Sequence, residues 1–172
     1  MVVTWEVHQL DVKLAFLNGM LDEEIYMEQP QGFITTGKET WVCHLKKAIY
    51  GLKQASRTWN SNIHAALTEL GFKRTVADAS VYIMHQREGD GPLYVILYVD
   101  DITILGASLQ AVKELKVNLA KRYEISDLGE IESYLGIRII RDRQSKHLTI
   151  DQLLWFRSMD SRANLHCITI TT

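Results

Sequence analysis

The chain has 172 residues, enough for one domain that buries roughly 70% of its unfolded surface. With 47% hydrophobic and 23% charged residues it is not a disordered chain, and no apolar run approaches the ~18 residues needed to span a bilayer. A net charge of −2 excludes a strongly basic nucleic-acid binder judged by bulk charge. The distribution says more: the first 39 residues hold seven acids against two lysines, whereas Thr40 to Thr68 has no acid and carries Lys46, Lys47, Lys53 and Arg57. Such segregation can make an anion-attracting face on a near-neutral protein, and an ordinary solvated surface explains it equally well.

The N-terminal residues MVVTWEVHQLD lack a basic region followed by an apolar core. The expectation is an intracellular, cytoplasmic chain with no membrane partner. Cys43 and Cys167 stand alone, with no CxxC and no histidine spacing beside them, so neither a disulfide framework nor a zinc site is expected. The six histidines are scattered, and none is assigned a chemical role.

Trp5 to Val12 alternates bulky and polar residues as a strand does, and delivers Asp11 at its end. Asn18 and Gly19 mark a turn. Asp22, Glu23 and Glu24 read as a solvated acidic turn, Ile25 to Met27 as a short extended piece, and Gln31 to Thr40 as a loop. Trp41 to Leu45 reads as a strand. A helix is predicted from Ser56, a good N-cap, to Leu70, with Trp59, Ile63, Leu67 and Leu70 on its core face and Gly71 as its stop. Val81 to Met84 is a strand, followed by a turn over Gly89, Asp90, Gly91 and Pro92.

The segment LYVILYVDDITILG, residues 93 to 106, places two adjacent aspartates between two runs of apolar and β-branched residues. The runs read as paired strands, with Asp100 and Asp101 in the tight turn. Unit charges about 4 Å apart repel by ~4 kcal/mol at an effective dielectric of 20. The pair therefore calls for a cation, and Mg²⁺ suits one or two carboxylates. An Asp-Asp turn solvated by water is the competing reading of that pair alone.

Ser108 then caps a second helix to about Tyr123, with Leu109, Val112, Leu115 and Leu119 at helical spacing. Tyr134 to Ile140 reads as a strand, and Asp142 to Lys146 as a hairpin into His147 to Ile150. The pattern is α+β, an antiparallel sheet with helices packed on one face. If the strand ending in Asp11 neighbours the strand that leads into the aspartate turn, three carboxylates meet at one sheet edge.

Four ordered segments then resemble a known family. QLDVKLAFLNG (9 to 19), IYGLKQASRTW (49 to 59), LYVDD (97 to 101) and YLGIRI (134 to 139) are similar to the reverse transcriptase domain of Ty1/copia-type retrotransposons. So are the intervening EEIYMEQPQGF, CHLKKAIYGLKQ, LGFKRTVADASVY and ISDLGEIESYLGI. The resemblance covers about Val7 to Gln152. It implies a polymerase palm over residues 1–152, with 153–172 a divergent tail, and fingers and thumb truncated.

What the resemblance implies for the site is specific. Asp11, Asp100 and Asp101 match the family's metal-binding aspartates, for two Mg²⁺ ions or Mn²⁺ in their place. Asp11 and Asp100 are the better ligands, since adjacent carboxylates cannot both point at the same ions with equal ease. The chemistry is two-metal phosphoryl transfer from a deoxynucleoside triphosphate (dNTP) to a primer 3′-hydroxyl on an RNA or DNA template. Phe16 matches an aromatic lying under the nucleotide sugar, where a 2′-hydroxyl would collide; a core aromatic is the other reading. Lys53, Gln54 and Arg57 match the segment that meets nucleotide and template, with a solvated surface as the alternative for the two cations. Leu135, Gly136 and Ile137 match the hairpin that holds the primer end, and Tyr98 is either near that end or a plain strand aromatic.

The chain starts ten residues before Asp11, and the family's fingers strands would precede that point. The remainder of the retroelement polyprotein is thus an expected partner, and the chain is expected to be a fragment. Two other functional classes stand beside an RNA-directed DNA polymerase fragment: an inactive remnant that keeps the fold, and another palm-type nucleotidyl enzyme such as a cyclase. The second would leave IYGLKQ and YLGIRI unexplained.

Overall fold

A computed structural model of the chain describes residues 5–86 and 91–151 in full and the backbone of 168–171. Its main sheet has six antiparallel strands in the order β4-β5-β6-β7-β1-β8. These are β1 (Glu6–Val12), β4 (Lys73–Arg74), β5 (Val81–His85), β6 (Pro92–Tyr98), β7 (Asp101–Gly106) and β8 (Ile125–Glu130). A second sheet holds β9 (Ser133–Tyr134), β10 (Ile137–Asp142), β11 (His147–Asp151) and β12 (Ile168–Thr171), and a third pairs β2 (Met20–Glu28) with β3 (Val42–Lys47).

Period-two alternation decides what each face of the main sheet carries. Leu10 and Val12 of β1, Leu93, Val95 and Leu97 of β6, and Ile102 and Ile104 of β7 are buried in one cluster. Helix α1 (Ala55–Glu69) adds Trp59, Ile63, Ala66 and Leu67 to it, and helix α2 (Leu109–Ala120) adds Val112, Leu115 and Leu119. Both helices thus cover the same face. Gln9 and Asp11 alternate with those core residues and lie on the opposite face, in register with Thr103 and Asp101. Among the described residues no helix is long and apolar enough to cross a membrane.

Helix α1 begins before Ser56, contrary to the capping read from sequence. Gln54 sits at the N-cap without a side-chain cap bond, and Ser56 is already helical. Starting one residue earlier buries Ala55 in the core. The C-terminus is as expected: Gly71 has φ +93°, its N–H donates to Thr68 O at 3.0 Å, and the buried Phe72 N–H donates to Leu67 O at 2.9 Å. Those two bonds form a Schellman motif. Ser108 caps α2 as read, its Oγ accepting from Ala111 N–H at 3.3 Å.

Three other readings change. Asp22, Glu23 and Glu24 lie in β2, not in a turn, exposed where the pairing with β3 shifts register between Met20 and Ile25. Tyr134 to Ile140 is not one strand: Leu135 (φ 50°) and Gly136 (φ 81°) form a two-residue turn joining β9 to β10. Positive φ at both central residues is the type I′ pattern that follows strand twist. Strand β8 went unread because ISDLGE has no alternation, with Gly129 at φ +79° beside a register shift. The turn expected at Gly89 and Asp90 and the thiol of Cys167 lie outside the described residues.

Candidate active site

The aspartate turn is tighter than the sequence suggested. Tyr98 pairs with Asp101, so Val99 and Asp100 alone make the connection and Asp101 is the first residue of β7. Both aspartates were expected in the turn; only Asp100 is. Two-residue hairpins need positive φ at a central position, usually met by Gly or Asn. Here Val99 takes it, at φ 54°. A β-branched residue in that region is an outlier costing on the order of 1–3 kcal/mol, sustained only when its surroundings over-determine it.

Those surroundings are present. Trp59 Nε1–H of α1 donates to Val99 O at 2.6 Å. Val12 N–H, at the end of β1, donates to Asp100 O at 2.9 Å. Gln9 Nε2–H donates to Asp101 Oδ1 at 3.1 Å. Val99, Asp100 and Asp101 are thus each held by a different group of β1 or α1.

Asp11 faces Asp101 directly across the β1–β7 ladder. Burial raises the Asp11 carboxyl above its ordinary range, and the charges of Asp100 and then Asp101 push it further; Lys13 pulls the other way. Lys13 is committed elsewhere, its Nζ donating to Glu124 Oε1 at 2.8 Å. The cluster therefore carries uncompensated negative charge. Among the described residues no three His, Cys, Asp or Glu side chains close around a single point. A cage made by protein alone is thus not built here. An Mg²⁺ ion bound by one or two carboxylates, with phosphate and water completing it, does fit such a pair. Asp101 Oδ1 already accepts from Gln9, and Asp11 and Asp100 are the carboxylates that could serve such an ion.

The remaining sequence-derived residues do not all gather at the aspartates. Tyr98 is exposed on the Asp101 side, and Leu135, Gly136 and Ile137 form the β9–β10 hairpin, with Leu135 exposed. Phe16 lies in a 3₁₀ turn (Ala15–Asn18), half-buried against the core, its ring 4.6 Å from that of Tyr50. Gln54 and Arg57 line a cleft of about 510 Å³ with Met20, Asp22, Glu23 and Asn62. The three aspartates do not line that cleft, and neither does Lys53, which is exposed in the turn before α1.

Three residues near the aspartates were not nominated from sequence. Gln9 stands two residues before Asp11, so period two puts it on the same face; that signal was available. Trp59 was read only as core, and nothing local reveals that its indole N–H reaches 40 residues along the chain. Tyr134 precedes the β9–β10 turn. Burial raises its phenol above the ordinary tyrosine range, and the charges of Asp101 and then Tyr98 raise it further.

Comparison with known proteins identifies the family. The family model described as "Reverse transcriptase (RNA-dependent DNA polymerase)" matches residues 1–168. The chain is similar to the retrovirus-related Pol polyprotein from transposon TNT 1-94 of Nicotiana tabacum, 41% identical over 160 residues, covering 93% of this chain and 12% of that protein. It is likewise similar to the Pol polyprotein from transposon RE2 of Arabidopsis thaliana, 38% identical over 146 residues, covering 85% of this chain and 10% of the relative. The putative transposon Ty5-1 protein of Saccharomyces cerevisiae is 38% identical over 130 residues, 76% of this chain and 42% of that one. The chain spans about a tenth of the length of the two plant polyproteins. With four ordered motifs, an antiparallel sheet and these relatives in agreement, the chain belongs to the reverse transcriptase family, in the branch carried by Pol polyproteins of copia/Ty1-type transposons.

Proposed function

We propose that the chain is the palm portion of an RNA-directed DNA polymerase, joining a dNTP to a primer 3′-hydroxyl, and that Asp11 and Asp100 are its principal metal ligands. The observation that carries this reading is the Asp11–Asp100–Asp101 group: mutually repelling carboxylates where the paired strands β1 and β7 meet the turn, with Lys13 beside Asp11 already paired to Glu124. In the reaction the primer oxygen forms a bond to the α-phosphorus, the bond to the β-phosphate oxygen breaks, and pyrophosphate leaves. Two Mg²⁺ ions, or Mn²⁺, when bound supply Lewis-acid stabilisation of the attacking and leaving oxygens.

The chain's own residues position the reactants. Asp11 and Asp100 would hold the ions, while Asp101 stays on Gln9 and adds negative potential. Template and primer lie across that face, with Tyr98 and the Leu135–Gly136–Ile137 turn at the primer end. Phe16 is assigned to the dNTP sugar, and Gln54, Lys53 and Arg57 to nucleotide and template contacts. The rest of the polyprotein supplies the further template and triphosphate contacts.

Primer extension on an RNA template with Mg²⁺ tests the proposal. Incorporation by the folded chain that disappears in Asp100→Asn supports it. Salt-sensitive binding of primer–template without incorporation would instead identify a remnant that keeps the fold and has lost the chemistry.

A further inference from the structure

Val99 is a poor residue for the backbone it adopts, and the turn it opens aims Asp100. A Gly there would hold φ 54° without help; a valine left alone would relax toward negative φ and turn Asp100 away. The group that opposes this relaxation is identifiable. Trp59 is buried in α1, and its indole N–H has the Val99 carbonyl as acceptor at 2.6 Å. A buried indole N–H needs such a partner. The ring itself is fixed from the far side, edge-on against Tyr123 at 5.3 Å and 84°.

We propose that Trp59 is a positioning residue: its indole N–H holds Val99 in the left-handed conformation and thereby keeps Asp100 presented beside Asp11. The inference rests on the polymerase reading for the purpose of the turn, but not for the hold itself. It makes α1, which carries the IYGLKQASRTW segment, the support of the aspartate hairpin. Val12 reports on the result, since its N–H donates to Asp100 O at 2.9 Å and loses its acceptor when the turn relaxes.

The test is amide hydrogen exchange at Val12 in Trp59→Phe, which keeps an aromatic ring and removes the donor. Exchange there is expected to rise about tenfold or more while the core amides of Leu10 and Ile104 keep their protection. Mn²⁺ affinity is expected to fall by about tenfold in the same variant, the usual effect of losing a group that orients a ligand. Tyr123→Phe retains the ring against Trp59 and should change neither. In a Val99→Gly background the turn no longer needs the indole, so adding Trp59→Phe should move Val12 exchange little. Unchanged Val12 protection in Trp59→Phe, or an equal loss in both backgrounds, overturns the proposal. If Val12 loses protection as expected while the wild-type chain neither binds Mn²⁺ nor incorporates dNTP, the hold stands and the polymerase reading fails.

Discussion

Asp11 and Asp101 stand directly opposite each other at the last paired position of β1 and β7, and the amide of Gln9 is bonded to Asp101. The two carboxylates therefore differ in surroundings although they share a face.

Asp11 is the one whose carboxyl is raised, first by burial and then by Asp100 and Asp101. A raised pKa means the native state binds a proton more tightly than the unfolded state. The stability this group contributes is then present below the ordinary carboxylate range and is lost as pH rises through the higher native value. Without divalent ions Asp11→Asn should raise the Tm at pH 7. Because Asp11 is half-exposed, screening limits the gain to under about 1 kcal/mol, or about 2–4 °C. The gain should vanish toward pH 3. Saturating Mg²⁺ should reverse the order by stabilising only the wild type. Thermal unfolding by circular dichroism across pH, with and without Mg²⁺, measures all three.

The Gln9 amide to Asp101 is a bond to a charged acceptor in a half-buried place. Gln9→Leu should cost about 1 kcal/mol. In an Asp101→Ala background most of that cost should disappear, a coupling readable by urea denaturation of the two single variants and the double variant.

Gly19 ends the first motif against the helix of the second. A Cβ on it would stand 2.8 Å from Thr58 Oγ1, 2.9 Å from Thr58 Cβ and 3.1 Å from the Trp59 backbone N. Gly19→Ala should therefore destabilise by about 1–3 kcal/mol, as overpacking against fixed atoms does. The denaturant midpoint reads it.

In the β9–β10 turn Leu135 and Gly136 both have positive φ. Gly136→Ala should cost about 1–2 kcal/mol from the left-handed conformation alone. Leu135→Asn should preserve or raise stability, since Asn tolerates that region. If Leu135 packs at the primer end as proposed, the same variant should weaken primer–template binding, measured by fluorescence anisotropy at fixed salt.

Local chemistry made the main elements readable: the alternation of β1, the apolar stripes of both helices, the Gly71 stop and the Ser108 cap. It failed where long-range pairing decides. Strand β8 exists because β1 offers it a ladder, and β2 runs through three consecutive acids because β3 pairs with it on either side of them, at Met20 and from Ile25 to Glu28. Asp100 and Asp101 stood out as adjacent carboxylates between apolar runs, whereas Asp11 was singled out by its place at a strand end and by the resemblance of QLDVKLAFLNG. Trp59, buried and apolar in appearance, carried no local sign of its bond to Val99. The cleft joining Gln54 and Arg57 to Asp22 and Glu23 is equally a product of packing between α1 and β2.

We propose that Asp11 and Asp100 share a divalent cation. Mn²⁺ binding to the folded chain near pH 7.5, followed by electron paramagnetic resonance, tests it most directly. Asp11→Asn and Asp100→Asn should each weaken binding by about tenfold or more, and Asp101→Asn should weaken it less. Mn²⁺ affinity unchanged by both Asp11→Asn and Asp100→Asn, in variants that remain folded, would contradict it.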